Sequence, residues 1–461
     1  MRRTLFLLCL ALFSSLAACA GAQRHTRTPD ALSLGGDLAN RFVPAGARSS
    51  LVARIHLGTA ATDPSVHPPI NLALVVDTSG SMEGRAMDDA RAASLVLLDA
   101  LRDGDRLAVV TFDSRSEVIF PSAELDAAHR ADARRRIGAM RARGTTDMAN
   151  GLRLGVEQVA AHLNTAGINR VVLLGDGVPN EAAGIEAMAT SAGQHGITIT
   201  AMGLGLEYNE TLMGAVAQRS GGHFHFIEDS AAVATAFRTE VLRMERVVAR
   251  NAVVTLNPGP DVQIESVVGH EASRTNTGVQ VSLGEITEGA TRDLIVRLSV
   301  PSHRAGSPVE LIDARLAWND PASPSLRYER DVFLGAHASS DTAEIEGGRS
   351  AEVEAVAAQV TLAVGTVAAI RDARNGNVEQ ASAQLDQLLD SAREVAQTRT
   401  TAAYHRQVSN VSSLRRALAS GGRPSTASPS RSVDASAPSA PPTQAAVNSA
   451  HDEALSVIDG Y

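Results

Sequence analysis

The stretch Leu72–Met82, LALVVDTSGSM, is the most informative part of this chain. A run of apolar residues ends there at an aspartate and two serines, Asp77, Ser79 and Ser81, spaced D-x-S-x-S. Gly80 lies between the two serines and allows the backbone to turn sharply. A buried strand that ends in one carboxylate and two hydroxyls offers oxygen ligands to a hard divalent cation. The stretch therefore points to metal-dependent binding rather than to catalysis.

Strand-like and helix-like patterns alternate on both sides of this motif, over residues 70–246. Ile70–Val76 and Arg170–Leu174 are almost continuous apolar runs, which is typical of parallel strands covered on both faces. Between such runs apolar residues recur at helical spacing, as in Met87–Leu101. This alternation predicts an α/β domain with a doubly wound, mostly parallel sheet.

Further metal ligands are expected on other loops, because the loops after neighbouring parallel strands meet at one edge of the sheet. The stretch Gly144-Thr145-Thr146 is the candidate for a second contribution, and Asp176, after another central strand, is the candidate for a third. Two carboxylates and three hydroxyls would roughly neutralise a divalent ion and leave a coordination position open. The predicted cofactor is Mg²⁺, with Mn²⁺ or Ca²⁺ as alternatives.

With these motifs, residues 69–246 resemble the von Willebrand factor type A family and its metal-ion-dependent adhesion site. In that family a D-x-S-x-S motif, a threonine in a G-x-T loop and an aspartate before a glycine surround one Mg²⁺. The family's threonine usually lies shortly before a small-Gly-Leu turn, here Asn150–Leu152, which favours Thr146 over Thr145. The resemblance implies the metal ligands Asp77, Ser79, Ser81, Thr146 and Asp176.

The same resemblance implies a Rossmann-like vWA fold and a role in protein binding and adhesion, in which a partner's Asp or Glu carboxylate completes the coordination of the metal. One position departs from the family, because threonine often precedes the last aspartate and this chain has Gly175. That position is not among the ligands, so the expected ligand set is unchanged.

The composition narrows the possible functions. The formal net charge of −9 argues against a nucleic-acid partner, which would require a basic face. The chain contains no lysine, which excludes a Walker-A phosphate loop and a Schiff base. Because the D-x-S-x-S motif points to metal-dependent binding, we predict that the protein is not an enzyme. The alternative is a metal-dependent hydrolase, which needs a general base beside the metal, and Asp113 is the nearest candidate.

The N-terminus indicates export. An apolar stretch, Leu5–Leu16, follows two arginines and is typical of a secretory signal. It ends Leu16-Ala17-Ala18-Cys19, which resembles the lipobox of bacterial lipoproteins. The resemblance implies a signal peptide over residues 1–19 and lipidation of Cys19. The protein would then be anchored to a membrane of the cell envelope, at the periplasm or the cell surface.

Outside the α/β domain the character of the chain changes. Strand-like segments separated by Pro, Gly, Asn and Thr predict an antiparallel β-sandwich over residues 247–337, and helical spacing predicts a hairpin or bundle over 343–420. The remaining predictions are a tether (20–48), a strand and linker that could join the sandwich (49–69), a disordered Ser/Pro/Ala linker (421–450) and a tail (451–461).

These outer segments loosely resemble bacterial surface proteins related to inter-alpha-trypsin inhibitor heavy chains. An alternative function follows from them, namely a scaffold subunit of an envelope complex that engages partners through its helical segment and tail. In that case the metal would be secondary.

Two other groups of residues allow more than one interpretation. Five arginines precede the threonine loop and could steer an acidic partner, or simply form a solvated helix face; they are Arg134, Arg135, Arg136, Arg141 and Arg143. His223 and His225 share one side of a predicted strand and could bind zinc or serve a structural role.

Overall fold

The structure is a computed structural model. It describes residues 31–59, 68–176, 184–205, 209–227, 229–321, 323–396, 401–419 and 442–459. The predicted signal peptide, Cys19 and most of the Ser/Pro/Ala stretch therefore lie outside the described residues.

The described residues begin with strands in a region where a tether was expected. They are β1 (Leu32–Leu38), β2 (Phe42–Pro44) and β3 (Ser49–Thr59). β1 pairs with β3 antiparallel along its whole length, so the prediction of a tether over 20–48 is wrong for these residues. The sequence did not reveal β1 because Gly35, Gly36 and Asp37, which are poor strand formers, interrupt its apolar pattern.

The α/β domain follows. Its elements are β4 (Ile70–Asp77), α1 (Arg85–Ala100), β5 (Arg106–Phe112), β6 (Ser116–Glu124), α2 (Ala127–Gly138), α3 (Met148–Ala160), β7 (Ile168–Gly175), α4 (Ile185–Gln194), β8 (Thr198–Leu204), α5 (Glu210–Ser220), β9 (Phe224–Ile227) and α6 (Val233–Glu245). The sheet has the order β6-β5-β4-β7-β8-β9, and only the β5–β6 pair is antiparallel. The predicted fold class is confirmed.

The central strand β4 is buried along its whole length because helices cover both faces of the sheet. Leu72, Leu74 and Val76 belong to the apolar cluster on one face, and Ala73 and Val75 to the cluster on the other. The chain continues from β4 to β5 on one side and reaches β7 on the other, so the strand order reverses at β4. The carboxyl ends of these three strands form the crevice where ligands bind in such folds.

A β-sandwich follows the α/β domain. Its strands are β10 (Val247–Pro258), β11 (Gln263–Val267), β12 (Ala272–Arg274), β13 (Val279–Thr287), β14 (Thr291–Val300), β15 (Pro308–Asp320) and β16 (Ser323–Ser339). One sheet has the order β1-β3-β14-β11 and the other β12-β13-β10-β15-β16-β2. The α/β domain is thus inserted between β3 and β10 of the sandwich. Trp318 is fully buried in the sandwich core.

The C-terminal part is helical. Its helices are α7 (Thr342–Gly347), α8 (Ala351–Arg374), α9 (Val378–Ala396), α10 (Ala402–Ala419) and α11 (Pro442–Asp459). The predictions of a disordered linker up to 450 and of a separate tail are wrong where α11 runs. α11 is ordered because it packs on α8 and α10 and contributes Leu455 and Ile458 to a core cluster of the α/β domain.

Within the described residues, α8 alone is long and apolar enough to cross a membrane by length and composition. In this fold α9 and α11 pack against it. Its Val360 also contacts Val268 and Ile295 on the sandwich. A helix that is apolar around most of its circumference is expected when neighbours cover several of its sides.

Candidate metal centre

Asp77 is the last residue of β4, and its side chain is completely buried. Its Oδ1 atom accepts a hydrogen bond of 2.8 Å from the backbone N–H of Ser79. Its Oδ2 atom is buried and has no hydrogen-bond partner among the described residues. Gly175 is a close neighbour of this oxygen, since a Cβ atom added at Gly175 would lie 3.5 Å from it. Asp77 therefore presents one buried acceptor oxygen that none of the described residues satisfies.

A chain of hydroxyl groups links this motif to the loop after β7. The Oγ atoms of Ser79 and Ser81 are 2.9 Å apart. The Ser81 hydroxyl donates a 2.7 Å hydrogen bond to Oδ1 of Asp176, which directly follows β7. Residues separated by about a hundred positions in the sequence are thus neighbours, as the fold class requires.

The threonine loop lies beside this motif. The backbone N–H of Gly80 donates to the carbonyl of Gly144, at 3.0 Å, and that of Arg143 donates to the carbonyl of Thr78, at 2.7 Å. Thr146 is 3% exposed, whereas Thr145 is exposed and hydrogen-bonded to Ser114. The fold thus buries Thr146 in a loop hydrogen-bonded to the D-x-S-x-S loop and directs Thr145 away to Ser114.

The electrostatics of the group suit a cation. Burial, the charge of Asp176 and, to a lesser degree, that of Asp113 raise the pKa of Asp77 to about 8, although hydrogen bonds from Ser79 act in the opposite direction. Two carboxylates therefore lie close together, and the hydrogen bonds from Ser79 do not offset the effects of burial and charge repulsion on Asp77. A bound divalent ion would favour the ionised form of both.

The donor set tests which ion would fit. In the part of the chain that the structure describes, no three His, Cys, Asp or Glu side chains are grouped to hold a metal. The oxygens available here belong to Asp77, Asp176 and the hydroxyls of Ser79, Ser81 and Thr146. Hard oxygen donors with few carboxylates are what Mg²⁺ prefers, so the donor types of these residues fit the predicted ion.

Asp113, the candidate general base, lies at the same edge of the sheet but is already engaged. Its Oδ2 atom accepts a 2.7 Å hydrogen bond from Nε of Arg143, and its Oδ1 atom accepts one of 3.0 Å from the backbone N–H of Arg115. Both oxygens of this carboxylate are therefore engaged by donors of the protein. The sequence indicated its place at the site but not its pairing with Arg143.

Most of the arginines before the threonine loop are in surface ion pairs. Arg134 pairs with Asp99, and Arg135 and Arg136 both pair with Asp132. These three therefore belong to a solvated helix face. Arg141 donates to nearby carbonyls of its own segment, so Arg143 is the member of the group that contacts the site.

The histidine pair lies in and directly before β9, the outermost strand of the sheet, and belongs to a buried charged cluster. Nε2 of His225 lies 3.5 Å from Oε2 of Glu240, and Glu240 also pairs with Arg170, at 2.5 Å. Arg170 in turn pairs with Glu285 of the sandwich, and burial holds the pKa of His223 well below its usual range. The sequence did not reveal this cluster, because its members come from distant segments.

Comparisons with known proteins agree with this geometry. The family model of the von Willebrand factor type A domain matches residues 71–239. "Uncharacterized protein sll0103" of Synechocystis is 28% identical over 62% of this chain and 70% of its own length. "Uncharacterized protein YfbK" of Escherichia coli is 27% identical over 52% of this chain and 43% of its own.

Among solved structures, a von Willebrand factor type A protein from Catenulispora acidiphila superposes with a TM-score of 0.68. The match covers 85% of this chain and 91% of that one at 20% identity, which bears on the fold alone. The matched residues contain all five predicted ligand positions in order on the expected loops. Residues 71–239 of this chain therefore match the von Willebrand factor type A domain in sequence and have its fold.

Proposed function

We propose that this protein binds a partner protein through a divalent metal ion, Mg²⁺ by preference, held by its von Willebrand factor type A domain. The ligands would be Asp77, Ser79, Ser81, Thr146 and Asp176. The observation that carries the proposal is the buried, unsatisfied Oδ2 atom of Asp77, which lies in the same group as the Asp176 carboxylate. Burying one carboxylate beside a second one is costly unless a cation lies nearby.

The binding chemistry follows from the number of donors. Two carboxylates balance the charge of a divalent ion, and the neutral hydroxyls add oxygens without adding charge. When bound, the ion would supply a coordination position that a partner's Asp or Glu carboxylate can occupy. Domains of this family usually mediate protein–protein interaction or adhesion, which agrees with such an exchange.

The structure favours this function over the hydrolase alternative. A hydrolase needs a base free to take a proton from water beside the metal. Asp113, the candidate from the sequence, instead accepts hydrogen bonds from Nε of Arg143 and from the backbone N–H of Arg115. Proteins with this domain are generally non-enzymatic interaction modules, and we propose the same for this chain.

In the scaffold alternative the helical segment and the tail engage partners and the metal is secondary. Ala363 of α8 and Ala454 of α11 are instead buried in a core cluster of the α/β domain. Arg374, at the end of α8, pairs with the buried Glu210 at the start of α5. The helices therefore complete the fold, and truncation at residue 343 would expose apolar surface rather than remove an independent arm.

The proposed location is the cell envelope, with lipid on Cys19. The support is the sequence Leu16–Cys19 alone, because these residues lie outside the described part of the chain. Metabolic labelling with a radioactive fatty acid tests it. We expect label on the native chain and none on Cys19→Ala, and label on both would contradict a lipid at Cys19.

Calorimetric titration of Mg²⁺ and Mn²⁺ into the full chain in detergent tests the metal site. We expect saturable heat that is lost in Asp77→Ala and in Asp176→Ala but retained in Thr145→Ala, because Thr145 points away from the group. A pull-down from membrane extracts in Mg²⁺ and in EDTA then tests the partner. Equal binding of Mg²⁺ by native chain and Asp77→Ala would show that these residues are not the ligands.

A further inference from the structure

The Thr146 hydroxyl depends on its backbone for its position. No hydrogen bond among the described residues involves this hydroxyl, although the residue is buried. The loop that carries it joins α2, which ends at Gly138, to α3, which begins at Met148, and contains no helix or strand. Whatever holds this loop therefore decides where the hydroxyl lies.

The loop is held on two sides. Toward the D-x-S-x-S motif it is joined by the backbone hydrogen bonds of Arg143 and Gly144 described above. Toward the loop after β5, the N–H of Asp147 donates to the carbonyl of Asp113 at 2.9 Å, and the N–H of Thr145 donates to Oγ of Ser114 at 3.0 Å. The loop after β5 supplies no expected ligand, but it thus supports the loop that carries Thr146.

One ion pair joins these two loops through side chains. Nε of Arg143 donates to Oδ2 of Asp113 at 2.7 Å, and the Asp113 side chain is only 8% exposed. The backbone N–H of Arg115 donates a hydrogen bond to the other oxygen of the same carboxylate, so the Asp113 side chain is fixed in place. We propose that the Arg143–Asp113 pair is a positioning pair, which fixes the threonine loop and thereby sets the affinity and selectivity of the metal site; this rests on the proposed function.

A positioning role makes a different prediction from a stabilising one. Arg143 is 70% exposed, and ion pairs at such sites contribute little to the stability of a protein. Partners that orient metal ligands are nevertheless known to change metal affinity 10- to 100-fold when removed. Mg²⁺ demands nearly ideal octahedral geometry, whereas Ca²⁺ tolerates irregular sites. A loosened loop should therefore weaken Mg²⁺ binding more than Ca²⁺ binding.

The test uses a double variant that leaves the net charge unchanged. Arg143→Ala with Asp113→Asn removes the link, while an asparagine oxygen can still accept from Arg115. The matched control is Arg153→Ala with Glu157→Gln, which removes a 2.6 Å ion pair from α3, the helix after the loop. Calorimetry gives the affinities of the full chain for Mg²⁺ and Ca²⁺, and hydrogen exchange in EDTA gives the protection of residues 143–147.

We expect the double variant to bind Mg²⁺ about tenfold more weakly, to lose less affinity for Ca²⁺ and to exchange these amides faster. The control should match the native chain in all three. An unchanged Mg²⁺/Ca²⁺ ratio in the double variant would overturn the inference. If the native chain binds neither ion, the proposed function fails, and with it the claim about affinity; unchanged exchange would then refute the claim about the loop as well.

Discussion

Asp77 should lower the stability of the metal-free protein, and Asp77→Asn should raise it. The Asp77 carboxylate is buried with one oxygen unsatisfied, and Asp176 is close enough to oppose its ionisation. An asparagine keeps the oxygen that accepts from Ser79 and carries no charge. Its amide group can also donate toward Asp176, where a carboxylate only repels.

The size of the effect follows from the pKa. The folded chain holds the pKa of Asp77 at about 8, against 3.8 for an ordinary aspartate. At pH 7, forming the folded state therefore costs up to about 4 kcal/mol that an uncharged side chain avoids. Relaxation and water entry reduce such penalties, so we expect Asp77→Asn to stabilise the metal-free protein by about 2 kcal/mol.

The sign of the pH dependence is also determined. An acid whose folded pKa is raised loses stability as the pH rises from its unfolded pKa to its folded pKa. The advantage of Asp77→Asn should therefore be near zero at about pH 4 and largest near pH 8. In excess Mg²⁺ the order should reverse, because a ligand at a hundred times its Kd stabilises the native protein by about 2.7 kcal/mol and the variant gains nothing.

Urea unfolding in EDTA, followed by circular dichroism, measures the difference. Asp105→Asn is the matched control, since Asp105 is also buried but accepts backbone hydrogen bonds on both oxygens, from Ile70 at 2.9 Å and Arg102 at 2.7 Å. We expect this control to destabilise by about 1–3 kcal/mol. If Asp77→Asn destabilised the metal-free protein as the control does, Asp77 would be an ordinary structural carboxylate and the reasoning would be wrong.

Three further predictions concern other parts of the molecule. Burial holds the pKa of His451 at about 3, so its neutral form is favoured by folding, and the stability advantage of the native chain over His451→Gln should shrink by about 2 kcal/mol between pH 7 and pH 5 in urea titrations. Gly155→Ala should destabilise by about 1–3 kcal/mol, because its Cβ would lie 2.4 Å from a methyl group of Val75, whereas Gly138→Ala, with open space around it, should not. Thr146→Ala should weaken Mg²⁺ binding in calorimetry. Equal weakening by Thr145→Ala would contradict the assignment of Thr146, and not Thr145, as the metal ligand.

Much of the fold was predictable because its signals are local. The uniformly apolar β4, the helical spacing of α1 and the D-x-S-x-S motif are each read within a few residues, and burial imposes each pattern directly. Local signals failed where the chain departs from ideal composition. β1 contains two adjacent glycines, and α11 follows a long Ser/Pro/Ala stretch, so neither was recognised until its neighbours were known.

The sequence by itself determined the ligand types, their order along the chain and the class of sheet that brings them together. Only the tertiary structure decided which of those ligands have hydrogen-bond partners and which neighbouring residues fix their positions. Among the described residues the Oδ2 atom of Asp77 has no hydrogen-bond partner, Arg143 pairs with Asp113 and Arg170 pairs with Glu285 of the sandwich, because the folded chain brings these groups together. Hydrophobic periodicity in the sequence indicates which residues are buried. A contact between distant residues depends instead on the path of the whole chain.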